Sequence, residues 1–266
     1  MEPKDIKGSR EPIYEPYDIP IVVGNGEDGY SIDWGGLEGG LSSRLAKGLK
    51  LSEEQYRQCR FSIEEIKQKY FPEGYDGYDE WGQNEDGTYY LKSLMPSPGL
   101  GVWMYVYAHK GMPRHLDARM RRLDVHNVRH LSDALFFQEC LVEYLKHAGI
   151  NVPGIRSEVV KTSETKMEFG DRERVFKTNV LSYSFELPYL ETSESLLPIG
   201  LKNYHNIDAE VQGNQVFING KVMLEKKQKN DGSSVWIGKN LKDSEATKLF
   251  STIARCNWVL SGDNEN

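Results

Sequence analysis

Asn219-Gly220, set between QVFI and KVML, constrains the fold more than any other dipeptide of this 266-residue chain. A two-residue hairpin turn of type I′ needs positive φ at both central residues, which asparagine and glycine tolerate best. Strands joined by so short a link must be antiparallel neighbours. The same character extends beyond Pro153. SEVVKTS is followed by VFKTNVLSYSFELPYL, then by the QVFI/KVML hairpin, and a turn at Asn230-Asp231-Gly232 returns SVWIG to complete a three-stranded meander. Residues 243 to 254 read as a helix and GDNEN as a frayed tail.

The first 150 residues mix helix and strand signals. Pro3, Pro12, Pro16 and Pro20 stand among charges in residues 1 to 20, which reads as an extended arm. IPIVV and YSIDW are two short strands around GNGEDG, and GGLEGG follows as a flexible link. Ser52 with Gln55 and Ser62 with Glu65 each match a capping box, predicting two helix starts, the second helix ending before Pro72. Residues 73 to 86 carry six acids and several glycines and read as a loop; TYYLKSL and VWMYVYA then alternate as strands. A helix is predicted from Pro113, and another from near Ser132 to Gly149 that buries Leu135, Phe136, Leu141, Val142 and Leu145. The expectation is an α+β fold, antiparallel strands and hairpins with a central helix pair at about 114–148 and a C-terminal helix. Its organisation is an arm (1–20), an α+β region (21–152) and a strand-rich region (153–266) that either shares that domain or stands beside it.

Composition narrows the function classes. A net charge of −7 opposes nonspecific binding to nucleic acid or membranes, so any polyanion site must be local. Three cysteines, Cys59, Cys140 and Cys256, are odd in number and far apart, which gives neither a disulfide framework nor a CxxC zinc site and suits a reducing compartment. The N-terminal stretch lacks an apolar leader core, and the longest apolar run, Val102 to Ala108, is too short to span a bilayer. These features predict cytoplasmic synthesis and no membrane partner. Eleven of the fifteen tyrosines fall before residue 108, and a contact-rich N-terminal half competes with ordinary half-buried packing as their explanation.

Most motifs fail on context. Gly24, Gly26 and Gly29 spell G-x-G-x-x-G, but Glu27 and Asp28 would repel a pyrophosphate and no helix follows, so a hairpin turn is expected. Gly232 to Asn240 is one residue too long for a P-loop and has Asn240 in place of the magnesium-binding hydroxyl. His126 and His130 have zinc spacing, yet Asn127 replaces the general base and Arg129 adds positive charge. The acidic loop offers Asp76, Asp79, Glu80, Asn84, Glu85 and Asp86 without the EF-hand pattern, so whether it takes calcium stays open. Ser163 with Lys166 is an S-x-x-K lacking companion motifs. No metal or cofactor is implied.

One segment stands apart. HKGMPRHLDARMRRLDVHNVRH, from His109 to His130, holds four histidines, five arginines and Lys110 against two aspartates. On a helix His115, Arg119, Arg122, His126 and Arg129 follow i, i+4, i+7, i+11 and i+14, one stripe flanked by Leu116, Met120 and Leu123. With Lys110 and Arg114 they form the candidate contact set for phosphates or for carboxylates of a neighbouring subunit; a solvated face balanced by the chain's own acids is the plain alternative.

The helix LSDALFFQECLVEYLKHAGINV, the strand FKTNVLSYSFELPYL, the proline-tyrosine arm and the Gly/Asn hairpins together resemble the head–tail connector and tail proteins of tailed phages, over less than half the chain and with no diagnostic motif. The resemblance implies a structural protein of a virion: a homo-oligomeric ring or collar that contacts other structural proteins of the particle, with DNA in its channel. It carries over no functional residue. Two rival readings remain. One is an enzyme acting on nucleotides or nucleic acid, with Arg119, Arg122 and Arg129 holding phosphate and His115 or His126 as acid or base. The other is a monomeric binding module that docks through the acidic loop and basic helix.

Overall fold

The fold is α+β in a computed structural model that describes residues 19–25, 27, 29–33, 50–75, 77–95, 104–105, 130–169 and 172–262. Its largest element is a six-stranded antiparallel sheet built from β6 (Arg156–Phe169), β7 (Arg172–Pro188), β8 (Ala209–Gln212), β9 (Gln215–Ile218), β10 (Lys221–Gln228) and β11 (Ser234–Leu241). The strand order is β6-β7-β11-β10-β9-β8, which leaves β6 and β8 as the two edges. The Asn-Gly hairpin forms: Asn219 and Gly220 take φ of 51° and 72° between the paired residues Ile218 and Lys221. At the next turn the Asp231 carboxylate accepts from the Ser233 amide at 3.0 Å and hydroxyl at 2.6 Å. Tyr183, Phe185 and Leu187 alternate onto the core face of β7, and Trp236 of β11 pairs with Leu187 on that face.

Four helices are present among the described residues: α1 (Glu53–Tyr70), α2 (Leu131–His147), α3 (Glu191–His205) and α4 (Asp243–Gly262). The Ser52/Gln55 capping box starts α1 as expected. The start expected at Ser62 is not used, because α1 runs straight through it. Cys59, Ile63 and Ile66 keep one buried stripe across that position, and no glycine or proline interrupts it. Helix α2 is buried almost all round, from Ala134 to Val142 and at Tyr144 and Leu145. Helix α3 and strand β8 were not anticipated. Pro198 and Gly200 argue against a helix, but Leu197 and Leu201 are fully buried, and a Cβ at residue 200 would sit 2.7 Å from Thr252 of α4. The glycine admits close packing of two helices, and tertiary burial outweighs the local cost of the proline.

Two smaller sheets complete the architecture. β1 (Ile21–Asn25) and β2 (Gly29–Asp33) form the hairpin expected around the G-x-G-x-x-G, where a side chain at Gly24 would lie 2.2 Å from the Gly29 carbonyl oxygen. β3 (Tyr78–Gln83), β4 (Tyr89–Met95) and β5 (Met104–Tyr105) pair in that order. The stretch read as an acidic loop is therefore partly a strand, because Trp81 packs on Tyr56 and Asp79 is neutralised by neighbours. Only residues 104 and 105 of the expected strand at 102–108 are described.

The arm boundary also shifts. Ile19 and Pro20 are buried, and the Pro20 carbonyl accepts 2.6 Å from Gln138 of α2, so the last two residues assigned to the arm belong to the core; residues 1–18 lie outside the described set. One hydrophobic cluster runs from Ile19 through α1 and α2 to Ala254, drawing on both sides of residue 152. The described tyrosines of the N-terminal half largely serve this interior: Tyr56 stacks on Tyr89 at 4.4 Å, and Tyr70 and Tyr75 pack on Phe136.

Gly220→Val tests the turn chemistry. Open space surrounds the position, so the only penalty is a β-branched residue at positive φ, about 1 to 2 kcal/mol in urea unfolding. Unchanged stability would mean that the turn tolerates a different backbone.

Candidate functional site

Of the basic segment only His130 is described, as the exposed N-cap of α2 with no side-chain cap bond. Lys110, Arg114, His115, Arg119, Arg122, His126 and Arg129 all lie outside the described residues, as does the first helix of the expected central pair. The structure brings together two other features that the sequence did not single out.

The first is a groove of about 630 Å³ between α1, α2 and the root of β6. Helix α2 supplies Glu139, 7% exposed, whose carboxylate accepts from Lys69 of α1, from the Tyr70 hydroxyl at 3.1 Å and from the Ser157 hydroxyl of β6 at 2.6 Å. Lys69 also donates to the Ser157 carbonyl at 3.1 Å. Burial, then the Glu139 charge, pushes the Tyr70 phenol well above its ordinary pKa and keeps it a donor. Every oxygen of the carboxylate is thus engaged.

Beside it Ser62, His147 and Glu143 look like a catalytic relay, with His147 Nε2 3.4 Å from the serine oxygen and 3.1 Å from the glutamate. Both contacts use the same ring nitrogen. A relay needs the acid on one nitrogen and the serine on the other, so this set orients a side chain and does not activate a nucleophile. Burial raises Glu143, but Lys146, His147 and Ser62 outweigh it and hold the carboxyl below its ordinary range. Burial also pushes the Cys59 thiol up to about 12 and raises Cys140 and Cys256, leaving none of the three a ready thiolate.

The second feature is the β6–β7 hairpin. Its strands of 14 and 17 residues pair continuously from Arg156↔Ser184 to Phe169↔Arg172, with one bulge at Val160. Only the base joins the sheet. Beyond the bulge nine residues of β6 reach about 30 Å further, and they and their partners on β7 are exposed or half-buried wherever side chains are described. Val160 is 67% exposed, Val180 51% and Met167 49%. The root is clamped: Asn179 donates to the Gln68 and Lys69 carbonyls, and the Lys177 amide donates to Glu73 at 2.6 Å. One face of the ribbon carries Val180, Thr178, Phe176 and Met167, with Arg174 over the Phe176 ring at 5.0 Å. The other carries Glu164, Lys166, Glu173 and Lys177, joined by Lys166–Glu173 at 2.7 Å and Lys177–Glu164 at 3.6 Å. The S-x-x-K of Ser163 and Lys166 thus lies on an exposed strand with its lysine ion-paired. Strand alternation was readable in the sequence, but the length of the free ribbon was not.

Among the described residues no three His, Cys, Asp or Glu side chains gather as metal ligands. In the former acidic loop Asp79 is held by Trp81 at 2.6 Å and Lys67 at 3.0 Å, and Asp86 by Lys50 and Thr88. No helix among the described residues is long and apolar enough to cross a membrane. No protein-family model, curated protein or solved structure matches the chain.

Burial raises the Asp79 pKa, while Trp81, Lys67 and Arg60 lower it further, so the net shift is downward. A lowered folded pKa contributes stability that is complete above the ordinary carboxylate range and is lost as pH falls through the folded value. Asp79→Asn should therefore cost about 2 kcal/mol at neutral pH, in urea unfolding, and the gap to the parent should close below about pH 4. A gap that stays constant well below that pH would show that the charge of Asp79 does not matter.

Proposed function

We propose that this chain is a structural assembly protein, the subunit of a homo-oligomeric ring or collar in a larger particle, of the kind found in the head–tail connectors and tails of tailed phages. The observation that carries the reading is the ribbon. A rigidly rooted two-stranded projection with apolar side chains in solvent and an outer edge unpaired among the described residues suits docking against another chain better than life alone in water. The described groove supports the same side, since its Glu139, Glu143 and His147 are engaged in holding elements together. The basic segment carries a local excess of positive charge in a sequence of net charge −7, which suits acidic groups of a neighbouring copy.

Replacing residues 164–177 by Asn-Gly closes the ribbon on the Ser163↔Thr178 pair and leaves the core untouched. The shortened chain should keep its melting temperature within a few degrees and lose the larger species seen by light scattering. Assembly of unchanged size would remove the ribbon from the contact. A parent chain that is monomeric at all concentrations would overturn the assembly reading itself.

Arg122→Glu separates the roles of the basic stripe. Contact with acidic neighbours predicts loss of assembly with the monomer folded. Contact with nucleic acid predicts intact assembly and weaker oligonucleotide binding, the salt slope falling by about 0.9 per lost phosphate contact on duplex DNA. A merely solvated stripe predicts neither, with stability changed by less than about 0.5 kcal/mol. Lost assembly is the expected result.

A further inference from the structure

Strand β6 ends the six-stranded sheet, so alternate N–H and C=O groups along its outer side point away from β7. Nothing in RSEVVKTSETKMEF blocks that edge with proline, and between the tip and the bulge at Val160 it offers nine regularly spaced residues, 161–169. We propose that two copies of this chain pair through these edges, antiparallel about a two-fold axis at Thr165. The proposal rests on the assembly reading above and names its contact.

The register follows from charge. A two-fold axis perpendicular to the ribbon keeps each residue on its own face, so residues whose numbers share parity must meet. Centring at Thr165 places Glu164 of each copy opposite Lys166 of the other, twice by symmetry. Centring at Glu164, Lys166 or Glu168 puts like charges in contact. Centring at Ser163 brings no opposite charges together, and centring at Met167 halves the overlap. With Thr165 at the centre, the ion pairs within each hairpin extend into rows. Lys177 beside Glu164 at 3.6 Å continues to Lys166 of the second copy, which carries its own Glu173 at 2.7 Å. On the opposite face the central row reads Phe176, Thr165, Thr165, Phe176, and the half-exposed Met167 comes to lie beside Ser163 of the other copy. A strand edge merely guarded against pairing gains nothing from a sequence that is complementary to itself.

Paired residues at the centre of such a contact have Cα atoms about 4.5 to 5.5 Å apart, within disulfide range. Thr165→Cys in the full chain should therefore cross-link to a dimer under mild oxidation. Ser163→Cys should not, because its symmetry mate would be about 14 Å away. The native thiols are buried, so the parent serves as the background. Glu164→Lys and Lys166→Glu should each weaken self-association at least ten-fold, and mixing the two folded variants should restore it, since each then meets the opposite charge. Cross-linking at Ser163 as readily as at Thr165, or no recovery on mixing, overturns this register while a persistent oligomer leaves the assembly reading standing. A parent that stays monomeric overturns both.

Discussion

Two adjacent polar side chains, Gln138 and Glu139, hold α1, α2 and the entries to β1 and β6 in their relative positions. They sit on α2, a helix otherwise buried in apolar contacts, and neighbours on a helix point about 100° apart. Gln138 thereby spans the chain entering β1 and the chain entering β6, donating to the Pro20 carbonyl at 2.6 Å and accepting from the Ile155 amide at 3.2 Å. Glu139 spans the end of α1 and the start of β6 through Lys69, Tyr70 and Ser157. Apolar packing alone would let α2 slide or rotate at little cost. Buried polar groups that are satisfied in only one arrangement forbid it.

The ribbon inherits that fixity. Ser157 and Ile155 anchor its first strand, while Asn179 and the Lys177 amide tie its second to α1. A projection rooted on both strands loses less conformational freedom on docking than a disordered arm would, so a modest contact area gives useful affinity. This is where the structure departs most from a reading of the sequence that looked for contacts in the tyrosines. Tyr56, Tyr70 and Tyr75 are interior packing, while valines and a methionine are the exposed apolar groups of the ribbon.

What the sequence disclosed was local chemistry. Asn219-Gly220, the Ser52 capping box and the glycines Gly24 and Gly29 of the β1–β2 hairpin act locally and need no distant partner, and each appears where it was expected. What it concealed was decided by tertiary contacts. Ser62 and Glu65 spell a capping box, but a helix already propagating through a buried stripe has no orphan amides there to satisfy. Pro198 and Gly200 read as breakers until the surface of α4 is placed beside them. Asp79 reads as loop until Lys67 neutralises it on a strand. The groove was hidden for the same reason, since Ser62, Glu139 and Ser157 are far apart in the chain and no motif joins them. The expected basic contact residues lie outside the described set.

Symmetry sets the last constraint on the proposed assembly. A contact in which each copy offers the same edge to the other is isologous, and it closes at two subunits. A ring needs a second surface that meets a different surface on its neighbour. In the proposed assembly the ribbon would therefore not build a ring by itself; it would join copies in pairs, across two rings or between two halves of one. The heterologous contact of the proposed assembly would fall to the segment from Lys110 to Arg129, whose five arginines and one lysine stand against two aspartates. Opposite charge between distinct patches favours head-to-tail contact, whereas two like basic patches facing each other across a two-fold axis repel. In the proposed assembly the two features would divide the work by sign: a self-complementary ribbon for pairing, and a basic segment against acidic groups for closure.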